Sequence, residues 1–281
     1  MPKTYGGGGQ TVIVIAGSGD HALDTSALSD LEREIVRQKQ QSRTVYRYDS
    51  EAALMFELRM RSATVQASRA LNASRPGFTS FQHSRCNERY WNRTEEGGFR
   101  LRSGVTPAEG LRDIFQNGRE YAFECATAIV IVFYRAILDT SGEAFFNTYF
   151  PNLYLYDWHH DSDLRLIRAS GPESFPGDVL YFPNPDHDPR RPEWQGENAV
   201  KLADNLYYGH GIGIASAEAI IAALNRTRAP GSTVSAYMSD LIVFPDTEHL
   251  RRLMSREPAQ GRRIDADSPI VTRIGSRRYI C

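Results

Sequence analysis

One segment of the chain, residues 121–138, is apolar over a length that only a buried helix accommodates. It reads Tyr-Ala-Phe-Glu-Cys-Ala-Thr-Ala-Ile-Val-Ile-Val-Phe-Tyr-Arg-Ala-Ile-Leu. A buried strand has about 4–8 residues, and a helix that spans a membrane needs about 20 residues with few charges. Because apolar side chains cover almost its whole circumference, this segment predicts a central helix packed on several sides.

Two residues inside this segment, Glu124 and Cys125, carry ionisable groups. An unpaired carboxylate is costly in apolar surroundings, so Glu124 requires a partner that offsets the cost. If the helix begins near Tyr121, Cys125 lies in its first turns, where free N–H groups and the helix dipole favour a thiolate. Cys125 is therefore a candidate nucleophile, although a buried structural cysteine is the commoner reading of such a position.

The remaining sequence places most helices before short strands. Helical composition and spacing predict helices at residues 30–41, 50–72, 107–117 and 216–225. Short runs between turns predict strands at residues 12–15, 153–158, 178–182, 197–202, 205–208 and 235–244. This order indicates an α+β fold with a mainly antiparallel sheet packed against helices.

Length and composition indicate one large domain over residues 1–281, with 41% hydrophobic and 24% charged residues. We expect a flexible N-terminal tail at residues 1–10, which include four consecutive glycines, and an Arg-rich tail from about residue 255. The net charge of −1 provides no basic field for nucleic acid or an anionic membrane. Without a membrane span or a signal peptide pattern, the chain is expected to remain inside the cell.

Two polar clusters, residues 157–163 and 186–188, contain enough Asp and His to suggest a metal-dependent hydrolase. However, adjacent histidines on a strand point to opposite faces, and Asp and His are common in proline-rich turns. We therefore expect no metal site. Cys86 and Cys281 form no Cys-x-x-Cys pair with each other or with Cys125, and both are expected to lie outside the chemistry.

Two other side chains are candidates for proton transfer. His210 is flanked by glycines, which let a backbone or a substrate approach closely. It is a possible base or orienting donor, or a structural histidine at the end of a strand. Glu197 precedes an apolar strand and by itself looks like a surface carboxylate.

Five motifs follow one another along the chain: Phe-Glu-Cys-Ala-Thr-Ala-Ile-Val-Ile (123–131), Leu-Tyr-Asp-Trp-His (155–159), Gly-Asp-Val-Leu-Tyr-Phe (177–182), Trp-Gln-Gly-Glu-Asn (194–198) and His-Gly-Ile-Gly (210–213). Together they resemble the spore-coat protein-glutamine gamma-glutamyltransferases of bacilli. The resemblance covers roughly residues 12–240. It implies an NlpC/P60-like, papain-like core.

The resemblance also implies roles for individual residues. Cys125 matches the nucleophile, Glu197 matches a glutamate from a distant strand that is its acid/base partner, and Glu124 matches a carboxylate that partly substitutes. His210 matches a histidine near the active site.

Aromatic residues of the resembling segments point to a substrate passage. Phe78 and Trp158 match aromatics that line this buried passage, and Trp194 is a further candidate substrate contact.

The implied reaction is acyl transfer without a cofactor. The thiolate of Cys125 attacks the side-chain amide of a protein-bound glutamine, ammonia leaves, and a lysine amine of a second protein resolves the thioester. N–H groups at the start of the helix are candidates for the oxyanion hole. The partners are then proteins with reactive Gln and Lys, and the expected locations are the mother cell and, in a sporulating source, the spore coat.

The sequence leaves two alternatives to a crosslinking enzyme open. One is a cysteine amidase or peptidase of the NlpC/P60 type, in which water accepts the acyl group. The other is an inactive coat component, in which Cys125 shows no unusual reactivity toward electrophiles near neutral pH.

Lysine is scarce: of 33 basic residues only Lys3, Lys39 and Lys201 are lysine. Few lysines would limit self-crosslinking, although a GC-rich genome that favours Arg codons explains the same composition. Any self-crosslinking is expected at Lys3, in the N-terminal tail.

Overall fold

A computed structural model describes residues 12–16, 23–255, 271–274 and 277–280, with only the backbone described in the last two ranges. Its helices are α1 Asp30–Gln41, α2 Glu51–Ser74, α3 Pro107–Gln116, α4 Cys125–Ser141, α5 Glu143–Tyr149, α6 Ala217–Asn225 and α7 Thr247–Met254. Its strands are β1 Ile13–Ile15, β2 Tyr46–Tyr48, β3 Gly77–Phe78, β4 Trp91–Arg93, β5 Phe99–Leu101, β6 Ala122–Phe123, β7 Tyr154–Leu155, β8 Leu166–Ser170, β9 Val179–Pro183, β10 Gly196–Ala203, β11 Leu206–Gly209, β12 Gly213–Ala215, β13 Leu241–Pro245, β14 Val271–Ile274 and β15 Arg277–Ile280.

The main sheet has six strands in the order β12-β11-β10-β9-β13-β8, and every neighbouring pair is antiparallel. One face of the sheet, which includes Val179, Val200 and Val243, shares a core with the apolar side chains of α4 and α2. The α+β expectation, with a mainly antiparallel sheet packed against helices, is confirmed.

The opposite face of the sheet is covered as well. Leu180 and Phe182 of β9 and Ala199 of β10 pack against Ile220 and Leu224 of α6. Because successive side chains of a strand point to opposite faces, burial on both sides explains why β9 is almost continuously apolar.

The central helix is shorter than the sequence pattern suggested. It begins at Cys125, and the expectation of a start near Tyr121 is wrong. Ala122 and Phe123 are extended because they form β6, which pairs in parallel with Gly77 and Phe78 of β3. This pairing uses the backbone groups of residues that a longer helix would have required.

Most of the other predicted helices are confirmed, with ends that differ by one or two residues. The strand predicted at residues 235–244 is only partly correct, because regular pairing is limited to Leu241–Pro245. The sequence reading also missed α5, α7 and β8. The predicted tails at residues 1–10 and beyond 255 fall outside the part described, apart from the backbone of β14 and β15.

Both lysines in the described part have their amines engaged. Lys39 is buried, and its Nζ lies 3.0 Å from a carboxylate oxygen of Glu57. Lys201 donates a hydrogen bond of 2.8 Å from Nζ to the carbonyl of Ser174. Lys3 lies outside the described residues. None of the described helices is long and apolar enough to cross a membrane.

Candidate active site

The buried carboxylate of Glu124 has a structural explanation at the start of α4. Glu124 is the N-cap residue, and its two oxygens accept hydrogen bonds from the N–H groups of Ala126 and Thr127, both at 2.6 Å. These bonds and the positive end of the helix dipole offset the cost of burying the carboxylate. Burial nevertheless raises the pKa of Glu124 above its ordinary value.

The sulfur of Cys125 is buried against β10. The side-chain amide of Asn198 donates a hydrogen bond of 3.3 Å to Sγ, and the carbonyl oxygen of Gly196 lies 4.0 Å from Sγ. Burial, and then the charges of Glu197 and Glu124, raise the pKa of Cys125 well above its ordinary value, while the amide groups of Asn198 act in the opposite direction. The resting sulfur is therefore a thiol that needs a base, not the thiolate expected from its position at the helix N-terminus.

Glu197 is fully buried on β10, next in sequence to Asn198. Neither of its carboxyl oxygens has a hydrogen bond of standard geometry within the described residues. The backbone N–H groups of His210 and Gly211 favour the charged form, but burial outweighs them and raises the pKa of Glu197 to about 8. Near pH 7 the carboxylic acid is therefore the main form. A buried carboxyl with a near-neutral pKa is suited to proton transfer.

Two glycines leave space for this carboxyl group. A Cβ at Gly209 would lie 2.8 Å from Cγ of Glu197, and a Cβ at Gly211 would lie 2.9 Å from its Oε2 and 3.1 Å from the ring of Phe78. Real Cβ atoms do not approach other atoms so closely. Gly209 and Gly211 are thus required by the close approach of Glu197.

His210 has both ring nitrogens engaged with protein groups. Nε2 lies 3.1 Å from the carbonyl of Gly77, which can only accept, and Nδ1 lies 3.2 Å from the hydroxyl of Tyr208. The ring also stacks on Phe123 at a centroid distance of 4.6 Å. Burial lowers the pKa of His210 to about 4, so the ring is neutral near pH 7. The sequence suggested His210 as a base or as an orienting donor. This geometry favours the orienting role.

A cavity of about 450 Å³ reaches Cys125 from one side. Its walls include Glu124 and Trp158 on the helix side and Tyr181 and Asn198 on the sheet side. The structure therefore brings together three of the predicted site residues, Cys125, Glu124 and Trp158, around one cavity.

The other predicted aromatics lie on the Glu197 side of β10. The rings of Phe78 and Trp194 meet edge to face with centroids 4.9 Å apart, and Phe78 also contacts the ring of His210. Phe78 and Trp194 do not belong to the cavity wall that holds Trp158.

The polar clusters that suggested a metal are used for local structure. Asp186 accepts backbone N–H groups of Thr233 and Val234, and Asp188 forms an ion pair with Arg190. Within the residues that the structure describes, no group of three or more His, Cys, Asp or Glu side chains is arranged to hold a metal ion.

Cys86 is buried away from the cavity, and burial raises its pKa to about 11. Cys281 lies outside the described residues. The sequence analysis did not predict the contacts that Asn198 and Tyr208 make with Cys125 and His210. The only indication in the sequence is that they lie next to Glu197 and close to His210.

Comparison with known proteins agrees with this geometry. The family profile described as protein-glutamine gamma-glutamyltransferase matches residues 12–254. A protein-glutamine gamma-glutamyltransferase of Halalkalibacterium halodurans is 41% identical over 247 residues, covering 88% of this chain and 87% of the relative. One from Bacillus pumilus is 43% identical over 231 residues, covering 82% of this chain and 94% of the relative.

A solved structure is similar as well. The transglutaminase of Geobacillus stearothermophilus without its C-terminal extension is 50% identical, with a TM-score of 0.69, and the match covers 74% of this chain and all of that one. These findings favour an acyltransferase over the amidase or peptidase alternative, and they agree with the papain-like core expected from the sequence. The chain belongs to the protein-glutamine gamma-glutamyltransferase family of bacterial transglutaminases.

Proposed function

We propose that this protein joins glutamine and lysine side chains of other proteins through a thioester on Cys125, with Glu197 as the acid/base group. The observation that carries the proposal is a buried thiol in the electrostatic range of a fully buried carboxyl, whose oxygens have no hydrogen bond of standard geometry in the described part of the chain. The charge of Glu197 raises the pKa of Cys125, so the two groups lie within electrostatic range of each other, which supports their pairing in the reaction.

In the first step, the ionised fraction of Glu197 takes the proton of Cys125 as Sγ attacks the side-chain carbonyl carbon of a glutamine. The tetrahedral oxyanion collapses, the carbon–nitrogen bond breaks, and the carboxyl group returns the proton to the leaving nitrogen, which departs as ammonia. The product is a thioester and a carboxylate that is again able to accept a proton.

In the second step, a neutral lysine amine attacks the thioester carbon and loses a proton to Glu197. The carbon–sulfur bond breaks, the proton returns to the sulfur, and an isopeptide bond remains. The burial of Cys125 limits the access of water, which would otherwise hydrolyse the thioester. Glu124 is the reserve acceptor, but its N-cap hydrogen bonds hold it in place.

We assign stabilisation of the oxyanion to Asn198, whereas the sequence had suggested the N–H groups at the start of α4. The N–H groups of Ala126 and Thr127 are occupied by Glu124, so they are not free to bind an oxyanion. The side-chain amide of Asn198 already lies 3.3 Å from Sγ, near the position of the developing charge. It is the donor best placed to stabilise that charge.

His210 is a positioning residue in this scheme, because its ring joins β3 to the strand segment that surrounds Glu197. Trp158 on the cavity side and Phe78 with Trp194 on the Glu197 side are the substrate contacts that we propose. We retain the single-domain reading of residues 1–281 as a prediction.

The partners are proteins that present a reactive glutamine or lysine, and no nucleic acid or membrane partner is indicated. Where the source forms spores, we propose that the enzyme acts in the mother cell on proteins of the spore coat. Support comes from the resemblance of the five motifs to spore-coat enzymes. Comparison of crosslinked coat protein between wild-type spores and spores that carry Cys125→Ala tests this setting.

The test of the chemistry is incorporation of dansylcadaverine into casein. We expect incorporation to be lost in Cys125→Ala and reduced 100-fold or more in Glu197→Gln. The matched control is Cys86→Ala, a buried cysteine outside the cavity, which should retain incorporation. Release of ammonia by the wild type without any incorporated amine would instead assign the hydrolase reaction.

A further inference from the structure

Exposed apolar side chains are concentrated in one segment beside the cavity. Five large hydrophobic side chains are exposed among the residues whose side chains are described, and three of them lie within five positions: Val234 (49%), Tyr237 (51%) and Met238 (42%). Single exposed apolar residues are ordinary, whereas a contiguous group indicates an interaction site. We call these three side chains the 234–238 ridge.

The backbone beneath the ridge is fixed, although it has no regular secondary structure. Asp186 accepts the N–H of Val234 at 2.9 Å, and the guanidinium of Arg228 donates to the carbonyl of Val234 at 2.7 Å. The side chain of Asn225 accepts the N–H of Ala236 at 2.9 Å, and Ala236 itself is buried. Because the backbone is already ordered, covering the exposed side chains requires little further loss of conformational entropy.

The ridge adjoins the cavity through β9. The N–H of Tyr237 donates to the carbonyl of Pro183 at 3.3 Å, and Ser239 donates from its N–H to the carbonyl of Tyr181 at 2.9 Å. Tyr181 lines the cavity that reaches Cys125. The phenol of Tyr181 has its pKa raised by burial and also by the charges of Cys125 and Tyr237, which places both within electrostatic range.

The separation between ridge and sulfur can be expressed in residues of an extended peptide. Pro183 is paired with Tyr237 on one side and with Gly196 on the other, and the carbonyl of Gly196 lies 4.0 Å from Sγ of Cys125. Two strand spacings of about 4.8 Å place Tyr237 roughly 10 Å from Gly196. An extended chain covers that distance in about three residues, at roughly 3.3 Å each.

We propose that the 234–238 ridge is the docking surface for the polypeptide segment that carries the reactive glutamine, and that it covers an apolar side chain about three residues from that glutamine. The occupant follows from the position of the ridge, which continues from the cavity that holds the nucleophile. This inference rests on the proposed function and adds the substrate preference of the same site.

The test compares two peptide donors that differ only in the side chains three residues from glutamine: acetyl-Leu-Gly-Gly-Gln-Gly-Gly-Leu-amide and the same peptide with Ser in place of both Leu. Dansylcadaverine incorporation is measured with the wild type, with the double variant Tyr237→Ser/Met238→Ser, and with Met254→Ser. Met254 is also exposed but lies at the end of α7, so it is the matched control.

For the wild type we expect kcat/KM about tenfold higher with the Leu peptide than with the Ser peptide, the effect of one well-covered apolar anchor. The preference should disappear in the double variant and persist in Met254→Ser. Binding of fluorescent Leu peptide to Cys125→Ala, with and without the two ridge substitutions, gives the same comparison without turnover.

Equal kcat/KM for the two peptides with the wild type, or an unchanged preference in the double variant, would overturn the proposal. A concentration-dependent dimer in size-exclusion chromatography that the double variant loses would assign the ridge to a second copy of the chain instead. Absence of incorporation from every donor by the wild type would refute the proposed function, whereas incorporation without a Leu preference would refute the ridge alone.

Discussion

Replacing Glu197 by glutamine is expected to make stability less dependent on pH while it removes most of the activity. Burial raises the pKa of Glu197 from 4.5 to about 8 in the folded protein, whereas the unfolded chain keeps the ordinary value. Between these two pH values the folded state holds a proton that the unfolded state releases. The wild type therefore loses unfolding free energy as pH rises, at up to roughly 1.4 kcal/mol per pH unit midway between the two values and about 3.5 kcal/mol between pH 4.5 and pH 7.5.

The glutamine variant is neutral at every pH and does not have this dependence. Its buried amide adds a desolvation cost of about 1–3 kcal/mol, but that cost is the same at every pH. The quantity to measure is therefore the difference in unfolding free energy between the variant and the wild type, and how it changes with pH. Relative to the wild type, the free energy of unfolding of the variant should rise by about 1.4 kcal/mol per pH unit near pH 6, and about half as steeply at pH 8, where Glu197 ionises in the folded protein.

Urea unfolding at pH 5, 6, 7 and 8 measures this slope, with the midpoint and m-value determined for each protein. The control is Glu95→Gln, an exposed carboxylate in the turn after β4, for which the difference from the wild type should be flat. A flat difference for Glu197→Gln would mean that the folded protein tolerates the ionised carboxylate. The argument from burial would then be wrong.

Other predictions follow from the same geometry. Because the base must be ionised, kcat/KM for amine incorporation should rise with pH and level off above the pKa of Glu197 near 8; a profile already flat from pH 6 would contradict this. Asn198→Ala should lower kcat about 100-fold with little change in KM, as loss of an oxyanion donor does, and Asn198→Asp should not restore it. Gly211→Ala should lower kcat tenfold or more while circular dichroism shows a folded protein, because its Cβ would lie 2.9 Å from the carboxyl oxygen. Mass spectrometry of any self-crosslinked product should find no isopeptide at Lys39 or Lys201, whose amines are engaged, and a link at either would refute that reading.

The sequence was most informative where one physical requirement dominates. The length and apolarity of residues 121–138 predicted a central helix, and the order of most helices before short strands predicted the α+β class. Both are confirmed. The start of the helix was not predictable in this way, because it depends on the pairing of Ala122 and Phe123 with a strand more than forty residues earlier in the chain.

The residues of the site also divide into those indicated by local sequence and those whose surroundings depend on tertiary packing. Cys125 and Glu124 stood out from their own apolar surroundings, whereas Glu197 looked like a surface carboxylate until the resemblance was considered. Its burial comes from the packing of β10 against segments far away in sequence, including the two glycines beside His210. The prediction of a thiolate from the helix dipole fails for a related reason, since the burial of the sulfur and the nearness of Glu197 are tertiary effects.

The resting state of Cys125 changes how an inactive coat component can be distinguished from an enzyme. The sequence argument assigned low reactivity toward electrophiles near neutral pH to the inactive alternative. In the structure, burial raises the pKa of both Cys125 and Glu197, so an active enzyme also holds a protonated sulfur and a largely protonated base near pH 7. Slow alkylation is then expected for both cases, because the thiolate is the reactive form. Only turnover separates them, since in the proposed mechanism a substrate in the cavity lets Glu197 take the proton as the carbon–sulfur bond forms.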